Sequence, residues 1–496
     1  MKYFLMLLLT GLSLYASAQG GGPDRNSNSL LNQSFWQAKP GIEAVKAEIE
    51  KGNSATQMTS NAFDATMMAI NAGAPNETII YLLEQKGNEH YKLLHDGRTY
   101  IFIAASRGNM EIMQYLFGKG AKVDIQDSHG YSPLNFAATT GQQNTQVYDL
   151  IMKQGAVLKN TNHDGANALL LAVGADTSFQ LTPYFQSKGL DIKSKDNDGN
   201  TAFDYAARSG NIKAMKLLLE KGVKTGGNAM LMAAQAGRRG GNSIEVFQYL
   251  ESVQVKPNAI SKTGDNALHS IVRRPGQTAI INYFLSRGLP VNQVNEEGNT
   301  VFMNAAASNR DTATLALLLP LTKDINLQNK AGSSALALAV RNNSPEIVAY
   351  LLNHGANINT TDAKGNNLVY YLIDAYSARQ AKEFTAKLNL LKEKGLNMTA
   401  PQQDGSTIYH LAVAKNDLSF LKMIKDDAVD VNAKNKEGLT ALHKAAMIAK
   451  DAAIMEYFIS IGAKKDIKTS FDESAYELAR ENELLSKQKI AIDFLK

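Results

Sequence analysis

From about residue 60 onward, apolar and polar positions alternate in short blocks of one recurring kind. A segment of about seven residues carries paired small side chains, as in Thr201-Ala202-Phe203-Asp204-Tyr205-Ala206-Ala207 and Thr440-Ala441-Leu442-His443-Lys444-Ala445-Ala446. A polar break follows, for example Arg208-Ser209-Gly210-Asn211, and then an amphipathic stretch such as Ile212–Glu220 or Pro345–Asn353 with a Leu-Leu pair on its apolar stripe. Glycine closes that stretch at Gly222 and Gly355, where a left-handed helix cap needs no Cβ, and Pro345 suits a first helical turn. The pattern predicts two short helices and then an extended polar segment such as 356–364.

The blocks recur. Glycines that precede each small-residue segment stand at Gly97, Gly130, Gly165, Gly199, Gly226 or Gly227, Gly264, Gly298, Gly332, Gly365, Gly405 and Gly438, with spacings of 33, 35, 34, 27, 38, 34, 34, 33, 40 and 33. A period near 33 excludes a few unrelated globular domains and points to stacked modules, none of which buries its apolar faces alone. The Ala-Ala pairs allow close approach of the next module's helix.

These residues resemble the ankyrin repeat, whose first helix opens on Thr-Pro-Leu-His. Ser132-Pro133-Leu134 keeps the proline, Thr440-Ala441-Leu442-His443 keeps Thr, Leu and His, and Asn266-Ala267-Leu268-His269 keeps Leu and His. The resemblance implies an all-α repeat solenoid of helix-turn-helix units with projecting hairpin loops, about twelve repeats plus terminal caps. It also implies a structural hydrogen-bonding role for His269, His410 and His443, and a protein as partner. The expected organisation is a signal peptide over 1–18, a flexible leader over 19–29, an N-terminal cap over 30–60, repeats over 61–471 and a C-terminal capping repeat over 472–496.

The beginning of the chain reads as an export address. Met1-Lys2 is followed by the apolar run Tyr3–Leu14 and by Ala16-Ser17-Ala18, with small residues at the cleavage positions. The run is shorter than the roughly 20 residues a membrane span requires. The expectation is a protein of the periplasm or beyond, with no membrane span after cleavage.

Composition narrows the chemistry. The 496 residues contain no cysteine, which removes disulfides, cysteine metal sites and thiol nucleophiles. A net charge of +5 is small for this length and gives no reason to expect a nucleic-acid partner. Phosphate-binding, dinucleotide, zinc-protease and serine-hydrolase motifs are missing, and the histidines are scattered, so no catalytic residue, cofactor or metal is expected.

One feature is directional. Arg107, Arg208, Arg238, Arg239, Arg273, Arg274, Arg310, Arg341 and Lys415 all fall just past the first helix of their repeat, and equal positions in a solenoid line up in space. They form either a row of cations that offset helix dipoles or a ridge that binds an acidic protein surface, centred on Arg238, Arg239, Arg273 and Arg274. Hairpin tips carry acids, among them Asp127, Asp164, Asp198, Glu297, Asp404 and Glu437, which gives a groove of two signs. Tyr81, Tyr115, Tyr249, Tyr283, Tyr350 and Tyr457 recur in the second helices, expected to pack with the hydroxyl near solvent. The spacings of 27, 38 and 40 predict a clipped hairpin after Gly222, insertions at 237–243 and 273–276, and extended helices near 373–387. The function this suggests is non-enzymatic binding of another protein through a pre-formed groove. A regulator or inhibitor of a periplasmic enzyme is the alternative. A polysaccharide-binding protein or cryptic hydrolase, which requires a deep pocket of converging acids, is a third reading.

Overall fold

The computed structural model describes residues 28–236, 240–426 and 428–496. The expected signal peptide and most of the leader lie outside them. Among the described residues there are 28 α-helices and only isolated β-bridges, so the chain is an all-α stack of helix pairs. The described residues divide into two compact units, those within 1–206 and 211–226 and those within 207–210 and 227–496. The division falls at the repeat with the shortened hairpin.

In the first unit, Ala65–Ala72, Tyr100–Arg107, Pro133–Thr139 and Ala168–Val173 are first helices that pack side by side. Ala104 and Ala105 are wholly buried there, as small residues at a close helix approach must be. Asp64, Ser132 and Asn167 cap three of these helices by accepting the third backbone N–H. The start of the unit is closed by Trp36, fully buried, whose indole N–H donates to the Leu30 carbonyl at 2.9 Å.

In the second unit, Val301–Ser308 packs against Ala335–Asn342, then Leu368–Asp374, Ile408–Val413, Ala441–Ile448 and Ala475–Glu481 follow in order. The repeat after Gly365 carries a second helix of 13 residues, Ala381–Glu393, where Pro345–Asn353 before it has 9. The 40-residue spacing predicts extended helices near 373–387; the extra length falls in this second helix alone, the first helix, Leu368–Asp374, having 7 residues.

The hairpins are fingers, each turning on its glycine. Ten of the eleven repeat glycines have φ between +72° and +81°; Gly226, at the clipped finger, does not. At Gly332 two reasons coincide. Its φ is +78°, and a Cβ would stand 2.1 Å from the backbone nitrogen of Ala363 on the next finger. Ala363 N–H donates to the Ala331 carbonyl at 3.0 Å, and Lys330 N–H to Glu297 at 3.0 Å, so successive fingers are joined by backbone bonds.

Candidate interaction surface

The row of cations divides into two kinds. Arg238 and Arg239 lie outside the described residues. Arg208 and Arg273 are exposed and enter no ion pair among the described residues. Arg274 is half-buried, and its guanidinium donates to the carbonyls of Ala234, at 3.2 Å, and Gln235, at the end of the preceding first helix. Burial holds its guanidinium below the usual value. Lys415 does the same to the Asp374 carbonyl at 2.9 Å. Arg107 donates to the Asn71 side chain at 2.9 Å, Arg310 pairs with Glu383 at 3.2 Å, and Arg341 pairs with Asp374. Much of this row is therefore engaged in the scaffold: Arg107, Arg274, Arg341 and Lys415 join neighbouring repeats, Arg274 and Lys415 at the negative ends of helix dipoles, and Arg310 reaches two repeats on.

The periodic pattern does not disclose a second set of residues at the same edge. In the second unit Asn309, Asn343 and Asn482 are buried, each donating its side-chain amide to two carbonyls at or just past the end of the preceding first helix, at 2.8 to 3.0 Å. Those carbonyls have no intrahelical partner and need one when buried. In the repeat with the long helix this place is taken by Lys387, whose ammonium donates to Val340 at 2.9 Å and Asn343 at 3.1 Å. Burial pushes the Lys387 pKa down. The signal available in sequence is an asparagine at the break between the helices.

The acids at the finger tips also have inward tasks. Asp127 is buried, accepts the N–H groups of His129 and Tyr131 at 2.9 Å, and binds Arg98 Nε at 2.7 Å. Its carboxylate shapes the turn and does not face solvent. Ile260 and Val294, 55% and 44% exposed, hold equal places on adjacent fingers of the second unit, so part of that surface is apolar.

The second helices are clipped by tyrosines. Tyr283 donates to Glu251 of the preceding repeat at 2.8 Å, and Arg287 lies 3.5 Å from the Tyr283 ring and 2.6 Å from Glu251. Burial and the Glu251 carboxylate push Tyr283 up to about 12. Asp149, Tyr184 and Lys188 repeat this arrangement in the first unit. A cavity of about 270 Å3 in the first unit includes Glu84, Glu89, Tyr115 and Lys119. Glu84 there accepts the Tyr115 hydroxyl at 3.3 Å and Glu89 accepts the Gly87 N–H at 3.0 Å.

His269, His410 and His443 are buried at the N-terminus of their helices. Nδ1 accepts the backbone N–H of Asn266, Thr407 and Thr440 at 3.1, 3.1 and 3.0 Å. Nε2 donates to Gln293, Leu439 and Ile467 carbonyls on the following finger at 3.1, 2.9 and 2.9 Å. Both nitrogens are used structurally, and burial lowers all three pKa values.

No helix among the described residues is long and apolar enough to cross a membrane. Comparison with known proteins agrees with the geometry. The family described as ankyrin repeats (3 copies) matches residues 66–159, 142–229, 268–362 and 303–382, more than half of the chain, and ankyrin repeats (many copies) matches 409–459. The phosphocholine transferase AnkX of Legionella pneumophila is 23% identical over 357 residues, 71% of this chain and 33% of that protein. The human transient receptor potential cation channel subfamily A member 1 is 23% identical over 70% of this chain and 35% of its own length. The nuclear factor NF-kappa-B p105 subunit of Gallus gallus is 35% identical over 24% of this chain and 12% of its own. The chain thus spans about a third of the first two relatives and less of the third. The repeated helix pairs, the glycine-turned fingers and the family matches together place this chain in the ankyrin repeat family.

Proposed function

We propose that this chain is an exported, non-enzymatic binding protein that engages another protein along its first helices and fingers. The observation that carries the reading is the bonding of finger to finger and helix to helix. It fixes many side chains on one surface before any partner arrives, which limits the ordering cost of association. Exposed Arg208 and Arg273 supply charge, and Ile260 and Val294 supply apolar contact. Export rests on Met1-Lys2, the apolar run Tyr3–Leu14 and Ala16-Ser17-Ala18. The relatives' transferase and channel activities belong to proteins of which this chain covers only a third.

The test is affinity capture from the exporting cell, with partners identified by mass spectrometry and then purified. Binding of the purified partner should weaken with salt and weaken further on replacing Arg208 and Arg273 by Ser at unchanged melting temperature. Equal binding with an unchanged salt dependence would remove the basic residues from the interface.

A further inference from the structure

Tyr115, Tyr184 and Tyr283 each stand four residues before a cation, Lys119, Lys188 or Arg287, and five before a glycine. The repeat before supplies an acid to each: Glu84, Asp149 and Glu251. Two of these clips are shut. Lys188 Nζ lies 2.6 Å from Asp149 and Arg287 Nη2 2.6 Å from Glu251, and the tyrosine hydroxyls donate to the same acids at 2.9 and 2.8 Å. The third is open. Tyr115 reaches Glu84 only at 3.3 Å, and Lys119 Nζ stands 5.2 Å from the centre of the Tyr115 ring, in no ion pair among the described residues. The cavity of about 270 Å3 lies in that gap.

The gap is electrically unbalanced. The helices Asn76–Leu83 and Met110–Gly118 both end at it, so two dipoles turn their negative ends toward it. Glu84 and Glu89 add two carboxylates, and neither enters an ion pair among the described residues. The Gly87 N–H, 3.0 Å from Glu89, holds that carboxyl below its ordinary range. Lys86 and Lys92 act on Glu89 from outside the cavity, and Lys92 is already engaged with Asp64 at 2.8 Å. Within the lining the one lysine is Lys119, exposed on a flexible stem. His90 lines the wall with its ring edge-on to Tyr91. Leu83 and Leu116 supply apolar walls.

The shut clip at Tyr283 displays what fills such a gap. Arg287 lies 3.5 Å from the Tyr283 ring, and its Nε and Nη2 donate to the two oxygens of Glu251 at 2.8 and 2.6 Å. A guanidinium serves an aromatic face and a carboxylate at once, where an ammonium is a point charge. We propose that the open clip is a receptor for an arginine side chain of a protein partner. The guanidinium enters between Glu84 and Glu89 against the Tyr115 ring, its methylene stem runs along Leu83 and Leu116, and Lys119 swings to solvent. The site lies on second helices, whereas the surface proposed above lies on first helices and fingers. It asks for a basic partner segment where the exposed arginines ask for an acidic one. It rests on the protein-binding reading only for the source of the arginine.

The experiment titrates Nα-acetyl-L-arginine amide into the full chain and follows leucine methyl resonances by NMR. Leu83 and Leu116 should shift saturably. The citrulline counterpart, of the same shape without the charge, should shift neither. The double variant Glu84→Gln, Glu89→Gln should bind the arginine probe roughly ten-fold more weakly at unchanged circular dichroism, as loss of charge-assisted bonds requires. Lys119→Met should bind it more tightly. The proposal is overturned if the probe causes no saturable shift, which would mean that Lys119 shuts the clip in solution. Equal binding of the citrulline form, equal binding by the double variant, or weaker binding by Lys119→Met overturns it as well. Tighter binding of free L-arginine than of the blocked form would make the ligand an amino acid and remove the protein source. Capture of no protein partner would end the protein-binding reading and leave probe binding as it is, so the two failures are told apart.

Discussion

The side-chain amide of Asn343 donates to the backbone carbonyl of Asn309, 2.9 Å away and one repeat earlier, and Asn309 donates in turn to the carbonyl of Arg274 at 2.9 Å. Each asparagine thus closes the end of the helix before its own, and the closures run as a ladder through the second unit. The Ala306 and Asn309 carbonyls would stay buried without this amide. Replacing Asn343 by Ala removes two hydrogen bonds and leaves two acceptors unpaired, so it should cost on the order of 1–3 kcal/mol. Urea unfolding checks this, with a lower midpoint expected at unchanged slope. A midpoint within error of the unaltered chain would show that water reaches those carbonyls.

The histidines give a pH dependence whose sign follows from their bonding. Nδ1 of His410 and His443 is occupied by a backbone N–H and by a threonine hydroxyl, at 2.9 and 3.0 Å. Protonation must break the bond from the backbone N–H and reverse the one with the threonine hydroxyl, and burial already lowers both pKa values below the ordinary 6.5. The unfolded chain therefore binds protons that the folded chain refuses. Stability is full above pH 6.5 and falls as pH drops from there through the lowered folded values. The melting temperature should decline between pH 7.5 and about 5.5, before most carboxylates titrate. The double variant His410→Gln, His443→Gln should melt lower at pH 7.5 and show a flatter decline. An equal slope in the variant would assign the decline to other groups.

The glycine at a finger tip answers to two constraints at once. Gly332→Ala forces a side chain into the left-handed region and drives its Cβ against the next finger's backbone. A cost of roughly 1–3 kcal/mol is expected from the conformation alone. Gly355, with φ at +91° and nothing within 4 Å of a built Cβ, tests the conformation without the clash, so Gly355→Ala should cost less. Chemical denaturation of the two variants decides it. Equal losses would mean that the fingers yield.

What the pattern of residues discloses is the spacing, because it is written in glycines, alanine pairs and leucine pairs that every repeat needs. Its departures were legible too: the short spacing before Gly226 and the long helix Ala381–Glu393 are plain consequences of residue count. The site was less legible. Arg274 and Arg273 are neighbours in sequence and look alike there, yet one guanidinium is half-buried on carbonyls and the other is exposed. Asn343 reads as a polar break and is 1% exposed. Lys387 reads as one more lysine on a helical face and is 4% exposed, because a longer helix carries it over the place an asparagine holds elsewhere. Contacts between residues one period apart depend on the pitch of the stack, which no single repeat encodes.

The two neighbouring arginines therefore offer a separation of binding from structure. Arg274 caps the carbonyls of Ala234 and Gln235, so Arg274→Ser leaves them without their donor. Hydrogen bonds to a charged donor contribute about 1.5–3 kcal/mol, and a loss toward the lower end is expected at this half-buried position. Arg273→Ser removes an exposed charge that makes no ion pair among the described residues, and surface changes of that kind stay within about 0.5 kcal/mol. In a calorimetric melt the first variant should shift downward and the second should not. In binding to a purified partner the order should reverse once the Arg274 variant is assayed well below its melting temperature, with Arg273→Ser the more damaging. Matched stability losses would place both side chains in the scaffold, and the contact surface would then have to be sought on the fingers around Ile260 and Val294.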